Sequence, residues 1–152
     1  MPEAFISSPV VSLALLPERL SIFRFAPSRA VTELPAFTGL WSVTRTPREL
    51  SVVAEEGACP AADAEDPGWR GLYVDGPIPF DLTGVVAGLT SVIAAAGLPV
   101  FVLSTFDSDL LLLRGDSLDQ SLRALRDAGY RVQPPASFDL GEPGSQRFGQ
   151  RR

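Results

Sequence analysis

Within six consecutive residues, Ser104-Thr105-Phe106-Asp107-Ser108-Asp109, the chain sets three hydroxyls, two carboxylates and one aromatic ring. A polar hairpin whose Ser and Asp side chains bond their own backbone accounts for the residue types. It accounts less well for the length of the stretch and for the ring. A pocket lined by Phe106, with hydroxyls and a carboxylate around it, would suit a small polar ligand with an aliphatic stem. A second stretch, Pro77-Ile78-Pro79-Phe80-Asp81-Leu82-Thr83-Gly84, leads into an apolar periodic segment. A helix N-terminus presents unpaired N–H groups and the positive end of the peptide dipoles, so it can hold a carboxylate without a basic side chain. Gly84 would let a ligand approach the backbone closely. In a purely structural role, Asp81 caps the helix and Gly84 permits close packing.

The residues that are missing narrow the chemistry further. The 152-residue chain has no histidine, and all 13 of its basic residues are arginine. This removes Ser-His-Asp and Cys-His nucleophile systems, Schiff-base lysines and the lysine of a Walker loop. Asp75, Asp81, Asp107 and Asp109 could supply a carboxylate pair or a hard-metal site, but their spacing matches no metal loop such as the EF-hand. The formal charge of −5 argues against nucleic acid, whose binders rely on basic groups displacing counterions. Only the tail, with Arg147, Arg151 and Arg152, is locally basic. Cys59 stands alone and forms neither an intramolecular disulfide nor a thiolate cage. With no apolar run of membrane-spanning length and no basic start to a signal peptide, the expectation is a cytoplasmic protein that does not bind membranes. The acidic Glu55, Glu56, Asp63, Glu65 and Asp66 read as a solvated surface.

The elements that must position the two stretches follow from the apolar pattern. Val11 to Leu15 and Leu20 to Phe25 read as a hairpin turning at Leu16-Pro17-Glu18-Arg19, and Leu40 to Thr44 with Leu50 to Glu55 as a second one. Arg29 to Leu34 adds a turn of helix, and Gly57 to Gly68 reads as a loop. Trp69 to Asp75 is a strand. From Leu82 apolar residues recur every three or four positions through Ala96, predicting a helix that Gly97 ends. Pro99 to Leu103 is nearly all apolar, as for a central strand buried on both faces. Leu110 to Leu113 forms another strand. Ser117 and Gln120 make a capping-box pattern for a second helix, which Gly129 closes before a strand at Tyr130-Arg131-Val132. Trp41 and Trp69 suit packing, while Arg45, Arg48 and Arg70 suit pairing with acidic neighbours, or one of them a ligand carboxylate.

From Trp69 the order is strand, helix, strand, strand, helix, strand, the ferredoxin-like βαββαβ unit of an α+β protein. A unit of about 65 residues is marginal alone, and the strand-rich first half is its nearest support, either as a degenerate second copy or as strands extending the sheet. The two halves occupy residues 11–60 and 68–133, and residues 134–152 read as a mobile tail.

Gly76 to Gly84, together with Val100 to Asp109, resembles the amino-acid-binding ACT domains of the aspartate-kinase type. It is similar above all to small bacterial tandem-ACT proteins related to the CASTOR arginine sensors. Those proteins carry a G-P-(L/I)-x-F-x-L-T-G approach to the first helix and an S-T-(F/Y)-x-(T/S)-D strand end. The resemblance is specific over Trp69 to Val132 and loose over Leu13 to Glu55, which would be a degenerate N-terminal ACT-like lobe. It implies a non-catalytic regulatory module that binds a free amino acid between two lobes, needs no cofactor and acts through another, downstream protein. Carried over by position, Thr105 and Phe106 would line the ligand, with Ser104 and Ser108 beside them. Asp109 would face an amino group or a cationic side chain. Phe80, Asp81, Leu82, Thr83 and Gly84 would meet the ligand's backbone groups. The alternative is an assembly module without a ligand, a homodimer made by pairing exposed edge strands.

Overall fold

Apolar residues alternate along positions 12–25, and the structure joins them into one long strand, β1 (Ser12–Phe25). The computed structural model describes residues 11–75 and 84–133. After β1 come a 3₁₀ turn (Val31–Glu33), β2 (Ser42–Arg45), β3 (Leu50–Glu55), β4 (Ala64–Asp75), α1 (Val85–Ala95), β5 (Val100–Ser104), β6 (Asp109–Arg114), α2 (Leu118–Asp127) and β7 (Arg131–Gln133). The strands form a single sheet ordered β2-β3-β1-β4-β6-β5, with β7 on the other side of the start of β1.

The hairpin expected at residues 16–19 is therefore a bulge. Leu15 lies opposite Leu72 and Arg19 opposite Arg70, so Leu16, Pro17 and Glu18 all face Gly71 of β4. Proline has no N–H to offer a ladder and is tolerated where the ladder is already broken. Gly71 is required there by contact, since a Cβ on it would lie 2.9 Å from Leu16 Cδ1. A compensating irregularity follows on β4, where Leu20 faces Trp69 but Ile22 faces Asp66. Pro67 and Gly68 stand there against Ser21 alone, one residue in excess. The stretch expected to be a loop up to Gly68 thus becomes strand from Ala64 onward.

The order β4-α1-β5-β6-α2-β7 reproduces the expected βαββαβ sequence. Its last strand does not close on the unit's own first strand, because the start of β1 lies between them. Ser12 pairs with both Asp75 of β4 and Arg131 of β7. The first half thus supports the second by strand insertion.

Alternation along the strands sorts the side chains into two faces. Leu13, Leu15, Leu72, Val74, Leu111 and Leu113 meet Leu89 and Ile93 of α1 and Leu122 and Leu125 of α2. The opposite face gathers Leu16, Leu20, Trp69, Leu110 and Leu112, with Tyr73, Phe101 and Leu103 packed against them. A third cluster, Phe23, Phe25, Leu50, Val52, Ala54 and Cys59, sits beneath the connections on either side of β2 and β3. The central strand is β6, whose Leu110 to Leu113 are all buried. β5, expected in that position, is instead the edge strand among the described residues, with Val100 to Leu103 only half-buried. An all-apolar run does not distinguish a central strand from an edge that something else covers.

Both helices end as their glycines predict. Gly97 and Gly129 adopt φ of 74° and 95°, and the next residues, Leu98 and Tyr130, donate back to Ile93 O and Leu125 O at 3.2 and 3.0 Å. The capping box does not form, because Ser117 makes no side-chain cap. A 3₁₀ turn (Gly115–Ser117) leads into α2, and Ser121 Oγ donates to Ser117 O at 3.1 Å.

Candidate functional site

The connection between β5 and β6 is a tight turn. Ser104 lies opposite Asp109 in the ladder, and the Thr105 N–H donates to Ser108 O at 2.8 Å. Thr105 Oγ1 donates to Ser108 O at 3.1 Å and accepts from the Ser108 N–H at 3.2 Å. The Ser108 hydroxyl, which is buried, donates to Val74 O of β4. Two of the three hydroxyls thus hold the turn's shape and dock it onto β4. The polar-hairpin reading is correct for them.

Ser104 and Asp109 differ, since Ser104 Oγ donates to Asp109 Oδ1 at 2.6 Å and the pair is not fully covered. By the pleat they share a face with Leu111 and Leu113, the face the helices cover. Phe106 at the tip is 77% exposed, and Asp107 beside it is exposed as well.

The topology fixes what stands near this turn. β4 runs toward it, with Tyr73 opposite Leu110. β5 starts at the far end, where Val100 faces Leu113. Because α1 ends four residues before β5 starts, its N-terminus points back toward the turn. α1 begins after Gly84, whose φ of 87° places it in the left-handed region, and among the described residues no side chain caps the helix. α2 lies between Arg114, at the far end of β6, and Arg131, which pairs with Ser12, so its C-terminus reaches this same end. Of the two stretches singled out in the sequence, Gly84 and residues 104–109 are therefore brought to one end of the sheet. Phe80, Asp81, Leu82 and Thr83 lie outside the described residues.

Tyr130 is a residue of this region that sequence reasoning missed. Its hydroxyl lies over α1, where a Cβ on Gly88 would come within 2.8 Å of it. A glycine inside a helix costs about 1 kcal/mol relative to alanine, and that cost was the available signal. At the same end, Gln133 Nε2 donates to Ser12 Oγ at 2.9 Å.

β2 and β3 are built on residues 20–25 of β1. That is the far end of the long strands, about 17 Å up β6 from the turn at ~3.3 Å per residue. The described residues of the two halves do not enclose the turn between them.

Of the acidic residues expected to be solvated surface, Glu55, Asp63, Glu65 and Asp66 are exposed, but all except Glu55 also hold structural partners. Glu56 accepts from Arg19 Nε at 3.1 Å and from the Gly68 N–H at 2.8 Å. The Arg19 hydrogen bond, then the Gly68 N–H, hold its carboxyl below the ordinary 4.5. Glu65 Oε1 accepts from Ser21 Oγ and the Gly57 N–H, and Asp63 from the Ala26 N–H. Asp66 receives both arms of Arg114 at 3.1 Å, and that guanidinium lies 4.2 Å over the Trp69 ring. Among the described residues Arg45 and Arg70 take no acidic partner and donate instead to backbone carbonyls, of Pro27 and Arg29 and of Leu16 respectively. Trp69 is buried as packing requires, whereas Trp41 is half exposed and packs at a tilt against Phe37, with ring centroids 5.5 Å apart. Among the described residues, no group of His, Cys, Asp and Glu is arranged to hold a metal.

Comparison with known proteins now adds to this geometry. A solved structure from Agobacterium tumefaciens is 34% identical, with a TM-score of 0.78 over 85% of this chain and 96% of that one. The family model described as ACT domain matches residues 64–127, from the first residue of β4 to the last of α2. The chain belongs to the ACT domain family. ACT domains are regulatory, non-catalytic modules, and the mixed α+β architecture here is theirs. The regulatory subunit of aspartate kinase from Thermus thermophilus, in ligand-free form, shares the fold at 13% identity. Its TM-score is 0.57 over 80% of this chain and 99% of that one. A Vibrio cholerae protein of unknown function, described as a possible transport protein, does so at 17% identity and a TM-score of 0.63, over 75% and 86% of the two chains. No curated protein matches. The ACT match stops before β7 and excludes β1, the strand that the structure places between β4 and β7.

Proposed function

We propose that this chain is a non-catalytic regulatory module that binds a free amino acid at the end of the sheet where the 104–109 turn and the start of α1 converge. The observation that carries the reading is that convergence. Two segments 20 residues apart (Gly84 and Ser104) reach one end and one face of the sheet.

Each group then has a role suited to a zwitterion. The N–H groups at the start of α1 receive the α-carboxylate, favoured by the positive end of the helix dipole. Asp109, oriented by Ser104, receives the ammonium group by a charge-assisted hydrogen bond. Phe106 lies along the side chain. Thr105 and Ser108 act through the backbone, keeping the turn rigid, so that little ordering entropy is lost on binding. Phe80, Asp81, Leu82 and Thr83 belong to this reading through the family resemblance. CASTOR-like behaviour belongs to it on the same terms, and a cytoplasmic setting through the sequence pattern.

Regulation requires only that the ligand prefer one arrangement of the module over another, and the shift cannot exceed that difference in affinity. The output passes to a downstream protein. Thermal unfolding with a panel of free amino acids tests the proposal. A ligand that binds only the folded state raises the midpoint in a dose-dependent way. The expected result is a rise with at least one amino acid, reduced in Asp109→Ala and Phe106→Ala. No response across the panel, or a response that both variants retain in full, contradicts it.

A further inference from the structure

At the end of β1 farthest from the 104–109 turn, the chain bends back over residues 26–29. There Phe25, Ala26, Ser28, Arg29, Glu33 and Asp63 line a cleft of about 300 Å³. That is the small end of the range for ligand pockets, and it suits a molecule of few heavy atoms. Most of the wall is held in place. Arg45 of β2 donates both arms of its guanidinium to the carbonyls of Pro27 and Arg29. The Arg29 N–H donates to Ala26 O at 3.0 Å, and the Ala26 N–H to Asp63 Oδ2 at 3.0 Å. Phe25 is buried beneath, with the Arg29 guanidinium 5.3 Å over its ring. A wall already ordered costs little entropy on binding. The exception is Glu33. Its side chain is 57% exposed and meets Arg29 by one contact, Oε2 to Nη1 at 3.5 Å. Arginine holds a carboxylate best through two parallel N–H···O bonds, and an exposed single contact contributes little.

We infer that this cleft binds a small α-hydroxy carboxylate, whose place on Arg29 the Glu33 carboxylate takes in the free protein. The ligand's carboxylate exchanges that single contact for a bidentate one, and Glu33 turns out to solvent. With Arg45 behind the turn, two guanidinium groups then outnumber the one carboxylate left at the cleft, Asp63. Asp63 selects the rest of the ligand. Its Oδ2 receives the Ala26 N–H, while its Oδ1 takes no hydrogen bond from the described residues, so an acid with a hydroxyl beside its carboxylate fits better than a plain one. An ammonium group in that place has three donors to satisfy. It would find Asp63 Oδ1 and the Ser28 hydroxyl, next to a like-charged guanidinium. The residues of the amino-acid reading lie at the other end of the sheet, so the two sites stand independently.

Amide chemical-shift mapping of the full chain, titrated separately with glycolate, acetate and glycine, tests it. Glycolate is expected to give saturating shifts at residues 26–33 and 63. Acetate, which lacks the hydroxyl, binds there about 10-fold more weakly, as the loss of a hydrogen bond to a charged group predicts. Arg29→Gln keeps the wild-type circular dichroism and weakens glycolate by about 10-fold or more. Glu33→Gln tightens it by about 2- to 5-fold, because an exposed ion pair no longer competes. A pair with a merely structural role would give no such gain. The inference is overturned if glycolate leaves residues 26–33 unmoved, if acetate or glycine binds there as tightly as glycolate, or if Glu33→Gln weakens binding. Shifts with glycine at residues 84–87 and 104–109 alone would support the amino-acid reading and leave this cleft without a ligand of that class, so the two readings fail separately.

Discussion

Arg114 shows how much one side chain does in this molecule. It ends β6, forks onto Asp66, donates to Pro67 O and covers the Trp69 ring. Surface ion pairs contribute about 0.2–1 kcal/mol and an exposed cation–π contact about as much. Arg114→Ala is therefore expected to lower stability by about 1–2 kcal/mol in urea unfolding, and Asp66→Asn by less, since the stacking survives. At Glu56 the effect is on pH dependence. Its carboxyl is held below the ordinary value in the folded state, so the unfolded chain takes up the proton first as pH falls. The stability it contributes is complete above about pH 4.5 and is lost as pH drops through the folded value. Glu56→Gln should flatten that part of the acid limb in a pH series of unfolding curves. A limb as steep as the wild type's would show that Glu56 contributes nothing there. None of these pairings was legible in the sequence. Acidic residues in a Gly- and Pro-rich stretch look alike whether they face water or, as Glu56 and Glu65 do, the backbone of a neighbouring strand.

Among the elements, those with a helical period were legible nearly to their ends. Gly97 and Gly129 marked both C-termini, because a left-handed residue is needed where a helix turns back. The strands were legible as strands but not in their order. A Pro-containing polar run between two apolar ones reads as a turn, and only the partner strand decides whether it is a bulge. At residues 16–18 that partner is Gly71, whose missing Cβ leaves room for Leu16. Gly71→Ala is expected to destabilise by about 1–3 kcal/mol, as overpacking does. Gly88 gives a test of opposite sign. Alanine in a helix should gain about 1 kcal/mol over glycine, but the Tyr130 hydroxyl occupies that space. Gly88→Ala should therefore gain little alone and recover the gain in a Tyr130→Phe background. Additivity between the two substitutions would refute the contact.

For the molecule as a whole, the consequence of β1 is that the family unit is not self-sufficient. Val11, Leu13 and Leu15 belong to the same core as both helices, and without β1 the strand β7 loses its ladder partner. A fragment spanning residues 64–133 is expected to lack cooperative thermal unfolding, whereas residues 11–133 retain it. The sequence showed that the second half leaned on the first, from its size alone. It did not show how, because insertion between β4 and β7 is a matter of topology that no local pattern encodes. The sequence offered two stretches, residues 77–84 and 104–109, for the proposed site, but not that Gly84 and the 104–109 turn come to one end of the sheet. That meeting is the central claim, and amide chemical-shift mapping during titration with a responding amino acid tests it most directly. The account predicts saturating shifts at residues 84–87 and 104–109, with β2 and β3 unmoved. Shifts confined to β2 and β3 would contradict it.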